Sequence, residues 1–390
     1  MPADPRRHLA IAARVSSARY NFTPWLEIEE ALLQPTTAEL FMAQSERALI
    51  NTRSMSAGFT GVQRYISELS SRLNGSLEFV VPRKPLQGLK GHLWEQLRLP
   101  AIVGSRLLWS PANTGPVLVR RQVVTVHDVA TLDHPEWFQP SFAAWYRWMT
   151  PRLVRRARRV MVVSEFTKQR LLQLTGIDSS RIAVVHNGVD QRFRPRSEAE
   201  ILQVRERLNL QVSRYILSLG SLEPRKNLER LLQAWSRAVS ELPKDVSLVI
   251  VGGVGATRVF KPIALVNLPP RVVVTGAVSD RYLPALYSGA LAMTYLSLYE
   301  GFGLPPLEAM ACGTIAITGN LTSLPEIVGS AAMTVDPYST EAIAEAIVEL
   351  VKNPSLRSDL KRRSFEQTRP FTWESAAAGI KCVLADAMAN

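Results

Sequence analysis

The chain has 390 residues, enough for two domains whose cores need no covalent staples. Hydrophobic residues make up 46% and charged residues 21%, which excludes wholesale disorder and a fibrous repeat. Lys and Arg number 46 against 34 Asp and Glu, and the net charge of +12 admits nucleic acid, anionic lipid or phosphorylated small molecules as partners.

From the N-terminus, Arg14 and Arg19 interrupt the early apolar stretch, so it is too short and too charged for a signal-peptide core, and a cytoplasmic home is expected. No apolar run is long enough for a membrane-spanning helix. The two cysteines, Cys312 and Cys382, make neither a disulfide framework nor a zinc pattern. Residues 1–44 show no strand rhythm and one plausible helix at 25–34. They are expected to form a poorly ordered extension.

A regular alternation begins near residue 47. Strands are expected at 48–54, 77–82, 106–111, 123–128, 160–166 and 182–188, as short β-branched runs ending in turn residues. A glycine loop and an amphipathic helix, with Val62, Ile66, Leu69 and Leu73 on one face, follow the first of them. After a polar stretch at 190–200 a second series follows at 215–220, 246–253, 272–278, 291–297, 314–319 and 331–336. Helices are expected at 228–242, 284–290, 305–313 and 339–353. Apolar strands alternating with helices mean α/β architecture: two doubly wound, parallel-sheet, Rossmann-like domains facing across a cleft. The expected boundaries are 45–192, a linker at 193–212, 213–370, and a last helix at 371–390 that can cross back to the first domain. Ligands of such sheets bind beyond the carboxyl ends of the strands.

The string Glu300-Gly-Phe-Gly-Leu-Pro-Pro-Leu-Glu308, continuing to Gly313, carries the strongest chemistry. A glycine loop feeding a proline-started helix offers backbone N–H groups and a positive dipole end, which suit phosphate. Glu300 is expected at the preceding strand end and Glu308 in the helix's first turn, both facing one ligand as acceptors for hydroxyls. In 220–227, Arg225 and Lys226 place two cations at the mouth of the second sheet, suited to a diphosphate whose departure develops negative charge. His127 and Asp128 end a strand of the first domain.

This string resembles the signature of retaining glycosyltransferases of family 4, which have the GT-B fold. The resemblance runs from about residue 47 to 388 through GFTGVQRY, VTVHD, VVSEFTKQRL, HNGVDQRFRP and SLGSLEPRKNLERLL. Within that family it resembles the mannosyltransferase B-like enzymes of bacterial surface polysaccharide synthesis. It implies that Glu300 contacts the donor sugar and Glu308 the nucleotide ribose. Backbone N–H groups at Phe302, Gly303 and Leu304 would then hold the sugar or diphosphate. It also implies that His127 lies near the transferred sugar, oriented by Asp128. Gly61 would approach the phosphate from the first domain, and Gly276 would lie where the family places the base. Many members carry an Arg just after the strand glycine where this chain has Ser221, so Arg225 and Lys226 are expected to act as the phosphate pair. Ser164 either caps the next helix or touches the acceptor, and His186 is read as structural.

A helix from Phe142 to Val160, at about 100° per residue, would align Trp145, Trp148, Arg152, Arg155, Arg156 and Arg159 on one face. Tryptophan beside arginine suits an anionic membrane surface. The expected partners are therefore a nucleotide-sugar donor, a lipid-linked saccharide acceptor and the inner face of the plasma membrane. Nucleic acid is not expected, since no binding motif stands out. There is no Asp-x-Asp motif, and neither metal nor cofactor is expected. The leading expectation is mannosyl transfer from GDP-mannose. A UDP- or TDP-sugar transferase, a sugar-nucleotide epimerase and a non-catalytic scaffold are the alternatives.

Overall fold

The computed structural model describes residues 47–56, 61–253, 259 and 267–389. The expected extension at 1–44, with its helix at 25–34, lies outside the described residues, as do Gly58, Phe59 and Thr60 of the first glycine loop.

All twelve expected strands form, six in each of two sheets. The first sheet contains β1 (Ala48–Asn51), β2 (Leu77–Val80), β3 (Leu108–Ser110), β4 (Gln122–Val126), β5 (Arg159–Val162) and β6 (Ile182–Val184), in the order β2-β1-β3-β4-β5-β6. The second contains β7 (Arg214–Leu219), β8 (Val246–Val251), β9 (Val272–Gly276), β10 (Ala292–Tyr295), β11 (Ile315–Gly319) and β12 (Met333–Val335), in the order β12-β11-β10-β7-β8-β9. Every neighbouring pair is parallel. The strand order reverses between β1 and β3 in one sheet and between β7 and β10 in the other. Chains leaving those strands diverge to opposite faces, which opens a crevice at each reversal.

Helices cover both sheets: α1 (Gly61–Arg72), α2 (Gly88–Leu97), α3 (Leu99–Val103), α4 (Pro140–Arg156), α5 (Glu165–Thr175) and α6 (Glu198–Arg207), then α7 (Leu228–Ala238), α8 (Leu283–Ser288), α9 (Leu304–Ala311), α10 (Leu324–Val328), α11 (Thr340–Lys352), α12 (Pro354–Thr368) and α13 (Trp373–Ala389). Helix α7 shows why the pattern works: Leu228, Leu231, Ala234, Trp235 and Ala238 form one buried stripe against β8 and α11. The last helix, α13, buries Trp373, Ala377, Ile380 and Leu384 in the core under the first sheet, with Tyr65, Ile66 and Leu69 of α1. The chain therefore returns to the first sheet after completing the second. Its entry is pinned where Val189 N–H donates to the Phe371 carbonyl at 3.0 Å. Among the described residues no helix is long and apolar enough to cross a membrane.

Two polar stretches are helical, and one expected helix is shorter than expected. The stretch 193–212, expected as a linker, contains α6. Ser197 accepts the Glu200 N–H and the Glu200 carboxylate accepts the Ser197 N–H, a capping box that nucleates a helix in a polar segment. The polar run 354–368 is likewise the helix α12, capped by Asn353. Helix α4 stops at Arg156, with Pro151 inside it, instead of running to Val160. The run from Arg159 pairs with β4 as a strand, because its β-branched residues fill a buried sheet position, and Arg159 turns to Asp386 at 2.5 Å. Arg159 therefore does not belong to the basic stripe.

Candidate active site

The strongest cluster lies at the reversal in the second sheet. Strand β7 leads to a short 3-10 turn, Pro224–Lys226, and β10 leads to the loop carrying Glu300. Lys226 Nζ donates to Glu300 Oε1 at 2.6 Å and to the Tyr295 hydroxyl at 2.7 Å, and that hydroxyl donates to Glu300 at 2.9 Å. The Arg225 guanidinium reaches the other Glu300 oxygen at 3.4 Å and donates to Glu223 at 2.7 Å. Burial alone would push the Glu300 carboxyl up, but Lys226 first and Arg225 next outweigh it and hold it down at about 2. Glu300 is therefore an ionised hydroxyl acceptor with two cations beside it. The second oxygen of Glu223, also wholly buried, has no partner among the described residues.

Glu308 lies in different surroundings. Gly303, at φ +109, is the N-cap of α9, and the helix starts at Leu304, so Glu308 falls one turn deeper than expected. The two prolines occupy the helix start, where their missing N–H groups cost nothing. The Glu308 carboxylate is bound by Arg64 of α1, from the first sheet, and accepts from the Tyr287 hydroxyl at 3.2 Å. Arg64 also pairs with Asp280 and lies 5.6 Å from the Phe193 ring. Burial pushes Glu308 up to about 7, against the pull of Arg64. Arg64 did not emerge from the sequence pattern. The chain separation of 244 residues to Glu308 leaves no local signal for this pair.

On the first-sheet side, His127 follows β4. Its Nε2 lies 2.7 Å from the Pro111 carbonyl, which can only accept, so Nε2 carries the proton and Nδ1 the lone pair. Burial lowers its pKa, with the Pro111 bond and Asp128 opposing, so the ring is neutral. The ring's hydrogen bond goes to Pro111, while one Asp128 oxygen accepts the Ala130 N–H at 3.0 Å. The glycine loop passes directly over this corner. A Cβ on Gly301 would lie 1.7 Å from the His127 carbonyl oxygen, so only glycine fits there. Ser164 is wholly buried; its hydroxyl caps α5 by accepting the Thr167 N–H and donates to the Gly301 carbonyl at 2.6 Å. It braces the loop and is not exposed to an acceptor. His186 also spans the two halves, at 2.8 Å from Glu326.

The remaining expected residues separate. Gly61 opens α1, with a Cβ position 3.9 Å from Leu304, so the first glycine loop and the α9 start are neighbours. The Phe302 side chain is buried with Val163, Leu307 and Phe371, while Ser323 holds its carbonyl at 2.8 Å. The backbone of Phe302, Gly303 and Leu304 thus leads into the first turn of α9, where N–H groups lack intrahelical partners. Gly276 ends β9 at φ +74 and accepts the Gly252 N–H. The residues singled out on α4 make other contacts. Trp145 is half-buried against His92, Trp148 is exposed, and Arg152 lies 5.0 Å over the Trp148 ring. Arg155 donates to the Thr175 carbonyl, and Arg156 is exposed at the helix end.

The family model of glycosyl transferases group 1 matches residues 202–367, and that of glycosyltransferase family 4 matches residues 91–193. The chain is 32% identical to the O-antigen chain mannosyltransferase B of Escherichia coli, over 67% of this chain and 69% of that one. It is 29% identical to the serotype-specific mannosyltransferase WbdA of Escherichia coli over 66% of this chain, and spans 32% of that longer protein. Among solved structures, Anabaena HepE in complex with UDP-glucose superposes with a TM-score of 0.69 at 17% identity, covering 87% of this chain and 99% of that one, a likeness of fold. With two doubly wound sheets meeting at the carboxylate loop, the chain belongs to the group 1, family 4 glycosyltransferases and is an enzyme of GT-B architecture.

Proposed function

We propose that the enzyme transfers mannose from GDP-mannose, with retention at the anomeric carbon, onto a lipid-linked oligosaccharide in bacterial surface polysaccharide synthesis. It works in the cytoplasm, at the inner face of the plasma membrane. The observation that carries this reading is the cluster of Glu300, Lys226 and Arg225 at the sheet reversal, with His127 across the glycine loop, in a chain 32% identical to a mannosyltransferase.

The donor lies along the second half of the molecule. Glu308 accepts from the ribose hydroxyls once Arg64 yields it, and Glu300 accepts from the sugar hydroxyls. Lys226, Arg225 and the N-terminal amides of α9 meet the diphosphate, where charge grows as the anomeric carbon–oxygen bond breaks. His127, neutral, offers its Nδ1 lone pair to a sugar hydroxyl. The acceptor hydroxyl forms the new bond on the same face, and its proton passes to the departing phosphate oxygen. No protein general base is needed, and no cofactor or metal has a role in this reading.

The test is a thermal-shift panel with GDP-, UDP-, TDP- and ADP-sugars, followed by transfer to a short soluble mannoside. A ligand that binds only the folded state raises the melting temperature in proportion to its affinity. GDP-mannose is expected to give the largest rise and to be consumed. A rise with UDP-glucose and none with GDP-mannose overturns the choice of donor.

A further inference from the structure

We propose that the leucine ridge of α2, together with Trp148 and Arg152 of α4, is the surface by which this enzyme docks on an anionic lipid bilayer. Helix α2 is inverted with respect to an ordinary surface helix. Its buried face is Gly91 and Glu95, and its outer face carries Leu89, Leu93 and Leu97, which are 70%, 49% and 71% exposed. At about 100° per residue these leucines, spaced i, i+4 and i+8, form one stripe opposite the buried pair. The inversion is held in place by Glu95, which is wholly buried and takes bonds from Asn51, Arg53 and Thr114. Gly91 allows the close approach, since a Cβ there would lie 2.8 Å from the Leu86 carbonyl oxygen. The apolar row is thus pushed outward by well-made contacts on the other side.

Charge complementarity selects the occupant. From Val81 to Gly104 the only acid is the buried Glu95, while Arg83, Lys84, Lys90 and Arg98 are all exposed. Helix α4 has no acid at all. The two helices are joined through aromatic contacts: His92 lies 5.1 Å from Trp145, which lies 5.2 Å from Trp148. Exposed Arg147 and Arg152 flank that tryptophan. A row of leucines bordered by cations, with a tryptophan at its edge and no exposed acid in either segment, matches a helix lying in the headgroup region of an anionic leaflet. The surface expected from the sequence is thereby redrawn. It centres on α2, and Arg155, Arg156 and Arg159 fall outside it.

This inference rests on the proposed function for its purpose, delivery of a lipid-linked acceptor, but its evidence is separate. The test is co-sedimentation with vesicles of phosphatidylglycerol and phosphatidylcholine, against vesicles of phosphatidylcholine alone, over a salt series. The full chain is expected to bind the anionic vesicles and to be released as salt rises. Leu89→Ser with Leu93→Ser and Leu97→Ser should weaken that binding about tenfold or more at unchanged melting temperature. Lys84→Gln with Lys90→Gln and Arg98→Gln should abolish the preference for anionic lipid, while Arg155→Gln with Arg156→Gln should change little. Equal sedimentation of the leucine variant and the parent overturns the proposal. So does a parent dimer that the leucine variant disperses, since a second copy then covers the ridge. Transfer from GDP-mannose to a soluble acceptor is measured on the same samples. Docking without transfer removes the functional reading alone, and transfer without docking removes this inference alone.

Discussion

Glu300 and Glu308 belong to one glycine-loop string, and both are buried, yet their surroundings are opposite. Glu300 is held by two cations from its own half of the molecule and sits at about 2. Glu308 has one cation, borrowed from the other half, and burial keeps it at about 7. The first carboxylate is permanently charged and fixed by local structure. The second sits near neutral even with Arg64 bound, so hydrogen bonds from a ligand would favour its charged form. On the proposed reading, the reacting end of the site is therefore preorganised, while the nucleotide end is conditional.

The sharpest way to break this comparison is Glu300→Gln. It leaves Lys226 and Arg225 buried beside a neutral amide, and removing one partner of a buried pair typically costs about 3–5 kcal/mol. Denaturant unfolding should show a loss of that order, and turnover should fall while affinity for bare GDP changes little. The pH dependence has a definite sign. A carboxyl held below its unfolded value of 4.5 stabilises the fold above that pH and loses the contribution as pH falls toward about 2. The gap in stability between parent and Glu300→Gln should narrow over that window. A constant gap would show that the two cations are not held by the charge of Glu300.

Glu308→Gln should act at the other end. Loss of a charged acceptor for ribose weakens nucleotide binding by roughly 1.5–3 kcal/mol, about ten- to a hundredfold, measured by calorimetry. Its effect on stability should be smaller than that of Glu300→Gln, because burial already opposes its charge and Arg64 keeps Asp280. In the parent, GDP affinity should rise as pH rises through about 7 and then level off, since the protonated carboxyl accepts poorly. Arg64→Gln removes the charge that pulls Glu308 down, so the same rise should move to higher pH. A rise left in place would mean that Arg64 does not set the ionisation of Glu308.

The smallest expected effect on binding is that of His127→Ala. Turnover should fall with little change in GDP affinity, because the ring is proposed to stand at the sugar end. Ser164→Ala should loosen the Gly301 carbonyl and lower turnover modestly, with a loss of stability comparable to one buried hydrogen bond, about 1 kcal/mol by denaturant unfolding.

All twelve strands were legible because a parallel sheet covered on both faces writes itself as β-branched runs ended by glycine or polar turns. The loop with Glu300 and the cations Arg225 and Lys226 were legible for the same reason, since they stand directly at strand ends. Helix α2 was not, because its leucines face outward and its inner face is Gly91 and Glu95, which inverts the apolar pattern. Helix α6 was passed over although Ser197 and Glu200 signalled its start, because polar composition outweighed the capping pair. The Arg64–Glu308 pair and the brace from Ser164 to Gly301 depend on two halves meeting, and no periodicity within either half contains that information.

The central claim, a fixed reacting end and a conditional nucleotide end, is tested most directly by calorimetric titration of GDP into the parent, Glu300→Gln and Glu308→Gln from about pH 6 to about pH 8. The parent and Glu300→Gln should share one affinity curve that rises through about 7, while Glu308→Gln should be weak and flat. Equal weakening by both substitutions, or a flat curve for the parent, would contradict the account.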